Sequence, residues 1–326
     1  MHNSPVQACL ACGNFKGNQG FSAREQALGL GDEFAYQECA ACGSLQLLYP
    51  PADLARYYPA DYYSFAPVNL PAPGRLMRWL KRQRTLHALG WANPLGQLLA
   101  RVLPLPAQVG WVPRTGLGLS ARILDVGCGA GETLKHLSHQ GFSRLTGIDP
   151  LLPGDLTYEG GVRVYKRELS AVSSEYDLVM FNHSLEHLPE PIGALIHSRG
   201  LLAPGGWMLV RLPVAGGYAW RHYGAHWVQL DAPRHRFIPS EPGLRHLAAQ
   251  AGLKLRDIVY DSTALQFWGS EQYRRNVPLY SPQSYLTDPA AAGFTSEQIA
   301  EYEQQAAQLN ARADGDQACF YLQRAG

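Results

Sequence analysis

Residues 123–134 read ILDVGCGAGETL. The apolar pair Ile123-Leu124 runs into Asp125, three glycines alternate at Gly127, Gly129 and Gly131, and Leu134 and Leu137 then recur at helical spacing. The pattern predicts a buried strand, a turn that only small residues can make, and a helix whose N-terminus faces that turn. Bare glycine backbone lets a ligand lie close, and the first helical turn offers N–H groups that lack a partner inside the helix. The spacing is G-x-G-x-G, so the third glycine comes one residue early for the dinucleotide fingerprint G-x-G-x-x-G. An acidic residue before the glycines, rather than a lysine after them, suits a ligand with an ammonium group better than a triphosphate.

The segments that follow extend an α/β order. RLTGIDP (144–150) is a short strand ending in Asp149, 24 residues after Asp125. A carboxylate at that strand end can accept both hydroxyls of a ribose. YDLVMFNHSLEHL (176–188) is an apolar run opening into polar residues, and LLAPGGWMLVRLP (201–213) has a turn-then-strand form. The expected elements are strand 122–127, helix 131–140, strands 144–149, 162–166 and 176–182, helix 191–201 and strand 206–212. A helix from Ser240 to Gly252 and a strand over 253–261 come next. A long excursion through 269–315 contains a helix opening with the capping pattern Thr295-x-x-Gln298, and a strand at 317–324 closes the sheet.

On these motifs the chain resembles the class I S-adenosylmethionine (SAM)-dependent methyltransferases, whose first motif has the form D-x-G-x-G-x-G. The resemblance implies a Rossmann-like fold: a central, mostly parallel seven-stranded sheet with helices on both faces. It implies SAM as cofactor, held by Asp125, Gly127, Cys128, Gly129, Gly131, Asp149 and Pro150. Glu168 and Leu169, just past the third strand, become the adenine contacts, and Asn182 and His183 face the methionine end. The expected enzyme is a methyltransferase acting on a small or lipid-linked acceptor, with a sugar in glycan or lipopolysaccharide biosynthesis favoured. Two rivals stand beside it: a non-catalytic SAM-binding scaffold, and a quinone or other small-molecule O-methyltransferase.

Four of the six cysteines form pairs, Cys9–Cys12 and Cys39–Cys42, each followed by glycine, with 26 residues between the pairs. Two CxxCG turns complete a tetrahedral Cys₄ zinc site with no open position, so the expected metal is structural. Disulfides or redox pairs are the alternatives. A reducing compartment argues against the first, and the absence of a helix opening at either pair argues against the second. The resemblance extends to this front part, because sugar C-methyltransferases also carry a zinc-binding front domain. The organisation read from the sequence is therefore a zinc-ribbon-like module at 1–50, a Tyr-rich joint and basic helical linker at 51–120, and the SAM-binding domain at 121–326. Tyr57, Tyr58, Tyr62 and Tyr63 in the joint either cement the module to the domain or cover the cofactor pocket.

A hydrophobic content of 46% supports a sizeable core, and no apolar run reaches the roughly 18 residues of a membrane helix. The opening MHNSPVQACLACG lacks a signal-peptide pattern, so a cytoplasmic protein is expected. Net charge is +1, which gives no overall bias toward nucleic acid. Between Leu70 and Arg122 there are nevertheless eight basic residues and no acidic one, five of them within Arg75–Arg84 beside Leu76, Met77, Trp79 and Leu80. Such a stretch is either a solvated helix face or, over 75–91, a surface for a phosphate-bearing acceptor or for the inner face of a membrane. Its tryptophans are too sparse for a base-stacking platform, so no nucleic-acid partner is expected.

His183-Ser184-Leu185-Glu186-His187 also fits H-x-x-E-H, a zinc-peptidase pattern, but it comes straight off a strand where both histidines cannot share a helix face. The loop HWVQLDAPRHRFIP (226–239) follows the next strand and packs Asp231, Arg234 and His235 together. Ligands in open α/β sheets lie beyond the carboxyl ends of the strands. The acceptor side is thus expected from His183, His187, Asp231 and His235, with His235 the leading base.

Overall fold

The computed structural model describes residues 7–58, 63–65 and 68–325; Tyr62 of the joint lies outside them, as does the side chain of Tyr63. The chain begins with strands β1 (Gln19–Arg24), β2 (Glu33–Glu38) and β3 (Leu45–Leu47), which form an antiparallel meander. Helices α1 (Arg75–Ala88), α2 (Pro94–Val102) and the short α3 (Ala107–Gly110) fill the linker. The α/β part then runs β4 (Arg122–Val126), α4 (Glu132–His139), β5 (Arg144–Ile148), β6 (Leu156–Tyr158), β7 (Val162–Tyr165), β8 (Tyr176–Asn182), α5 (Pro191–Gly200) and β9 (Leu202–Pro213). It closes with α6 (Tyr218–Tyr223), β10 (Phe237–Ile238), α7 (Glu241–Gln250), β11 (Leu253–Tyr260), α8 (Leu265–Arg274), α9 (Ser296–Ala311) and β12 (Gln317–Arg324).

The large sheet has the order β11-β12-β9-β8-β4-β5-β7-β6. Parallel pairing links β9, β8, β4, β5 and β7, and β12 enters antiparallel between β9 and β11. Eight strands stand where seven are expected. The extra one is β6, three residues that fold back antiparallel on β7 at the sheet edge. Strands β4 and β8 lie at the centre, and their apolar residues are buried on both faces, as covered parallel strands require. One face packs Leu124, Val126, Val179 and Phe181; the other packs Ile123, Leu178, Met180, Leu134 and Leu137.

Helix α4 begins at Gly131, whose φ of +87° only glycine adopts freely, and a Cβ there would stand 2.7 Å from a Val164 methyl. Helix α9 carries the full capping box: Gln298 N–H donates to Thr295 Oγ1 at 3.2 Å, and Thr295 N–H donates to Gln298 Oε1 at 2.9 Å.

The front sheet is not confined to the first fifty residues. Strand β10, from the loop after β9, pairs antiparallel with β3 through Phe237↔Gln46 and Ile238↔Leu45. Ser240, the N-cap of α7, accepts from Gly243 N–H at 3.0 Å, donates its hydroxyl to the Cys42 carbonyl, and has its own N–H on Ser44 Oγ at 3.1 Å. Module and domain are therefore joined by shared backbone hydrogen bonds.

Candidate active site

The glycine turn sits between the carboxyl ends of β4, β5 and β8. Gly127 N–H donates to the Ile148 carbonyl at 2.8 Å. Gly129 N–H donates to Asp149 Oδ2 at 3.0 Å, and Leu151 N–H donates to Asp149 Oδ1 at 2.9 Å. Each Asp149 oxygen keeps a free lone pair for a hydroxyl. Asp125, at the end of β4, is buried, and its Oδ1 has no hydrogen-bond partner among the described residues. Burial, with the charge of Asp149 added, pushes its carboxyl up to about 8. A cation placed there would supply what the carboxylate lacks, which fits the ammonium of SAM.

The other expected cofactor residues are placed as follows. A Cβ at Gly127 would meet Ser184 Cβ at 2.5 Å, while Ser184 Oγ donates to the Val126 carbonyl at 2.6 Å. Cys128 turns its sulfur beneath the turn against Gly147, where any side chain would collide with it. Pro150 is exposed beside Asp149, and Glu168 is exposed at the start of a 3-10 turn over 169–171. Leu169 is half-buried against the core. Asn182 donates to Thr133 Oγ1 at 3.3 Å and accepts from Arg211 Nη1 at 3.2 Å.

The Tyr-rich joint crosses this turn. Ala130 N–H donates to the Ser64 carbonyl at 2.7 Å, and Lys135 Nζ donates to the Val68 carbonyl at 2.6 Å. Tyr57 is buried and donates to Asp32 Oδ2 at 2.9 Å, so it cements the front module. Tyr58 and Phe65 instead line a cleft of about 520 Å³ with Leu54, Leu151, Pro153 and Lys166, next to Asp149.

On the acceptor side, His183 leaves β8 in the left-handed region, φ +51°, an unusual state for a residue with a side chain. Its Nδ1 stands 3.3 Å from Glu186 Oε1, and its side chain is 32% exposed. Glu186 is fully buried, and neither of its oxygens has a well-aligned hydrogen bond. Burial alone would raise this carboxyl, but the imidazoles around it, His183 first, hold it ionised at about 2. His187 places Nδ1 2.9 Å from the Arg234 carbonyl, an acceptor that fixes the ring proton on that nitrogen, and Tyr58 Oη lies 3.2 Å from the same atom. Burial, then the neighbouring His235, pushes the His187 imidazole down.

His235 is buried, with Nδ1 2.7 Å from the Gln229 carbonyl and Nε2 3.9 Å from both Glu186 Oε1 and Asp231 Oδ2. Asp231 is bound on both oxygens by Arg234, whose guanidinium outweighs burial and holds the carboxyl at about 2. Arg234 also donates to the Tyr57 carbonyl at 3.1 Å and lies 3.5 Å from buried Glu25 of the front module. Arg236 N–H donates to the Glu186 carbonyl at 2.9 Å, which locks the two histidine-bearing segments together.

The structure thus brings His183, Glu186, His187 and His235 into one cluster, and it turns Asp231 toward Arg234. Two participants escape a reading of the sequence. Arg211 binds Asn182, Asp261 (2.7 Å) and the face of Trp111 (5.0 Å); its signal is one charge in the apolar strand MLVRLP. Glu25 gives no local signal, because its partner is about two hundred residues away.

In the front module, Cys9 Sγ lies 3.6 Å from Cys42 Sγ and Cys12 Sγ 3.6 Å from Cys39 Sγ, far beyond a disulfide bond. All four sulfurs lie within 4.8 Å of one another. Ligands about 2.3 Å from a tetrahedral centre are about 3.8 Å apart, so the donor set and spacing fit zinc.

A family described as "Methyltransferase domain" matches residues 85–258. The chain is 31% identical over 204 residues to a Pseudomonas aeruginosa protein named ubiquinone biosynthesis O-methyltransferase, covering 56% of this chain and 80% of that one. A Pseudomonas fluorescens protein of the same name is 30% identical over 204 residues with the same coverage. Among solved structures, a putative sarcosine dimethylglycine methyltransferase from Galdieria sulphuraria is similar at a TM-score of 0.43 and 14% identity, covering 76% of this chain and 98% of that one.

Proposed function

The chain belongs to the class I SAM-dependent methyltransferases, matching their methyltransferase domain over more than half its length, and we propose that its acceptor is small or lipid-linked, with a sugar of glycan biosynthesis the first class to test. The sugar class rests on the resemblance of the Cys₄ front module to that of sugar C-methyltransferases, and the observation that carries methyl transfer is the meeting of two segments at adjacent strand ends. Asp125 and the glycine turn end β4, and the His183–Glu186 pair follows β8 beside it.

In this reading Asp125, Gly127, Gly129 and Gly131 hold the amino-acid part of SAM and Asp149 the ribose. Cys128 and Pro150 shape the turn around them. Glu168 and Leu169 serve the adenine, and Asn182 and His183 face the methyl end. Bound SAM supplies a methyl carbon on a sulfonium, whose sulfur leaves with the bonding pair as S-adenosylhomocysteine. The chain's own work is positioning, which can contribute about 7–11 kcal/mol, and removal of the acceptor proton. Exposure favours His183 over His235 as base. Glu186 faces Nδ1 of His183, which leaves Nε2 to take the proton, and the buried carboxylate stabilises the imidazolium formed. His187 and His235 wall the site, and Asp231 braces it through Arg234.

We further propose that Cys9, Cys12, Cys39 and Cys42 hold one structural zinc. We propose the organisation 1–50, 51–120 and 121–326 as well, with Phe237–Ile238 added to the front sheet.

A second reading, a phenolic or quinone-type acceptor, is favoured by the printed name of the Pseudomonas relatives. Release of S-adenosylhomocysteine from SAM should be measured over nucleotide sugars, lipid-linked sugars and phenolic quinone precursors. Turnover on a sugar class supports the first reading, and turnover confined to the phenols replaces it with the second.

A further inference from the structure

The α1–α2 hairpin carries a basic and apolar surface that methyl transfer does not use. Every residue from Arg75 to Trp79 is exposed, so the first part of α1 stands clear of the body. Leu76 is 71% exposed, Trp79 48%, Leu98 59% and Val102 71%. A helix of a water-soluble fold normally turns such residues inward.

The hairpin is anchored at its other half. Arg84 is buried, and its guanidinium reaches the Leu103 carbonyl at 3.0 Å, the Pro104 carbonyl at 2.6 Å and Gln140 Oε1. Gly96 packs on Gln83 and His87 so closely that a Cβ would collide with them. Asn93 caps α2 and donates to the Gln83 carbonyl at 3.1 Å. These contacts seat α2 on the second half of α1, with the chain just past α2 reaching Arg84. Leu76 and Trp79 mark the end of α1 away from the connecting turn, and Leu98 and Val102 on α2 add exposed apolar area. Trp91, at the connecting turn, lies at the opposite end and is not part of this surface.

The charges follow the same layout. Of the eight basic residues, Arg84 is buried, Arg114 pairs with Asp257 and Arg122 with Asp177. Arg75, Arg78, Lys81, Arg82 and Arg101 form no ion pair among the described residues. Arg75, Arg78 and Arg82 fall at i, i+3 and i+7, along one side of α1.

We propose that this end of the hairpin seats the protein on an anionic lipid bilayer. An acidic protein or a nucleic acid would match the arginines but leave Leu76 and Val102 in water. A bilayer surface takes both, with lipid phosphates for the guanidinium groups and the headgroup–acyl boundary for leucine and tryptophan. The proposal stands independently of the acceptor. It places the enzyme where a lipid-linked one would be found.

The test is co-sedimentation of the full chain with phosphatidylcholine vesicles that contain phosphatidylglycerol or lack it. Binding should require phosphatidylglycerol and fall as salt is raised. Arg75→Glu with Arg78→Glu should lower partitioning about tenfold or more. Leu76→Ser with Trp79→Ser should lower it as well, although the charge is unchanged. Affinity for S-adenosylhomocysteine should stay at the wild-type level in both variants, which separates this test from that of the methyltransferase site. In the wild type, brominated phosphatidylglycerol should quench part of the tryptophan emission, and Trp79→Phe should remove that part. No preference for anionic vesicles, or no quenching, overturns the proposal. So does loss of binding in the arginine variant alone with equal affinity for heparin, because that marks a general polyanion surface.

Discussion

Asp149 accepts a hydrogen bond from Gly129 N–H at 3.0 Å across twenty residues of sequence, so the end of β5 and the glycine turn act as one unit. Removing the carboxylate should therefore weaken cofactor binding twice, through the lost ribose acceptor and through a loosened turn. Asp149→Ala should lower S-adenosylhomocysteine affinity about 100-fold or more in calorimetry, since the two hydrogen bonds to a charged group contribute about 1.5–3 kcal/mol each. Gly129→Val should abolish binding, because its φ is +52° and its Cβ would strike the Ser64 carbonyl. Wild-type affinity in both variants would place the cofactor elsewhere.

Asp125 makes the same site sensitive to pH. Its carboxyl is raised to about 8 in the free protein, against about 3.9 in an unfolded chain. A raised carboxyl costs stability progressively as pH climbs from about 4 toward 8. Asp125→Asn should thus raise the melting temperature of the ligand-free protein near pH 8 while impairing SAM binding. If the SAM ammonium ionises Asp125, binding near neutral pH releases a proton. Calorimetry in two buffers of different ionisation enthalpy should then give different apparent heats; equal heats would mean that Asp125 is already charged.

The parts legible in the sequence are those whose cause is local. Strands 176–182 and 317–324 fall where their apolar runs do, and Ser240 and Thr295 cap the helices their patterns announce. Helix α8 was hidden because seven of its residues are buried, which leaves no polar face to set a period. Strand β10 is two residues between arginine and proline, and only its pairing with β3, some 190 residues away, makes it a strand. The acceptor side shows the same limit. The sequence supplies its histidines but not their exposure, which separates His183 from His235.

Arg234 is a buried cation between Asp231 and Glu25, with side-chain exposures of 1%, 17% and 0%. Arg234→Met leaves Asp231 without its guanidinium and Glu25 with only the Leu28 and Leu30 N–H groups, and should cost about 3–5 kcal/mol, read as a lower melting temperature. Asp231 is held near 2 against an unfolded value of about 3.9. Its contribution is therefore present above about pH 4 and lost as pH falls toward 2. An unchanged acid-unfolding profile in Arg234→Met would contradict this coupling.

The cysteine cluster should hold one zinc per chain, measured as elemental content of the purified protein. Cys39→Ser should lose that metal, and strong chelators should unfold the front sheet, because structural zinc supplies about 10–16 kcal/mol of binding energy in small modules. Strand β10 and Ser240 tie that sheet to the loop bearing His235. Metal loss should then also depress turnover, with S-adenosylhomocysteine binding less affected. A metal-free protein that melts normally would rule the zinc out.

His183 and Glu186 should behave as a base and its positioning carboxylate. His183→Ala should lower turnover about 10²- to 10⁴-fold with cofactor affinity nearly unchanged; the melting temperature should also fall, because the buried Glu186 carboxylate loses its first partner. His235→Ala should instead keep most of its turnover. Its ring is buried on the Gln229 carbonyl, so its loss leaves a buried acceptor unpaired and costs about 1–3 kcal/mol of stability. Glu186→Gln keeps the shape and removes the charge that faces His183. If the two residues act as one unit, the double variant should be little slower than His183→Ala alone, because the carboxylate works only through the imidazole. Additive losses in turnover would make Glu186 a structural residue. Full turnover in His183→Ala would return the base to His235.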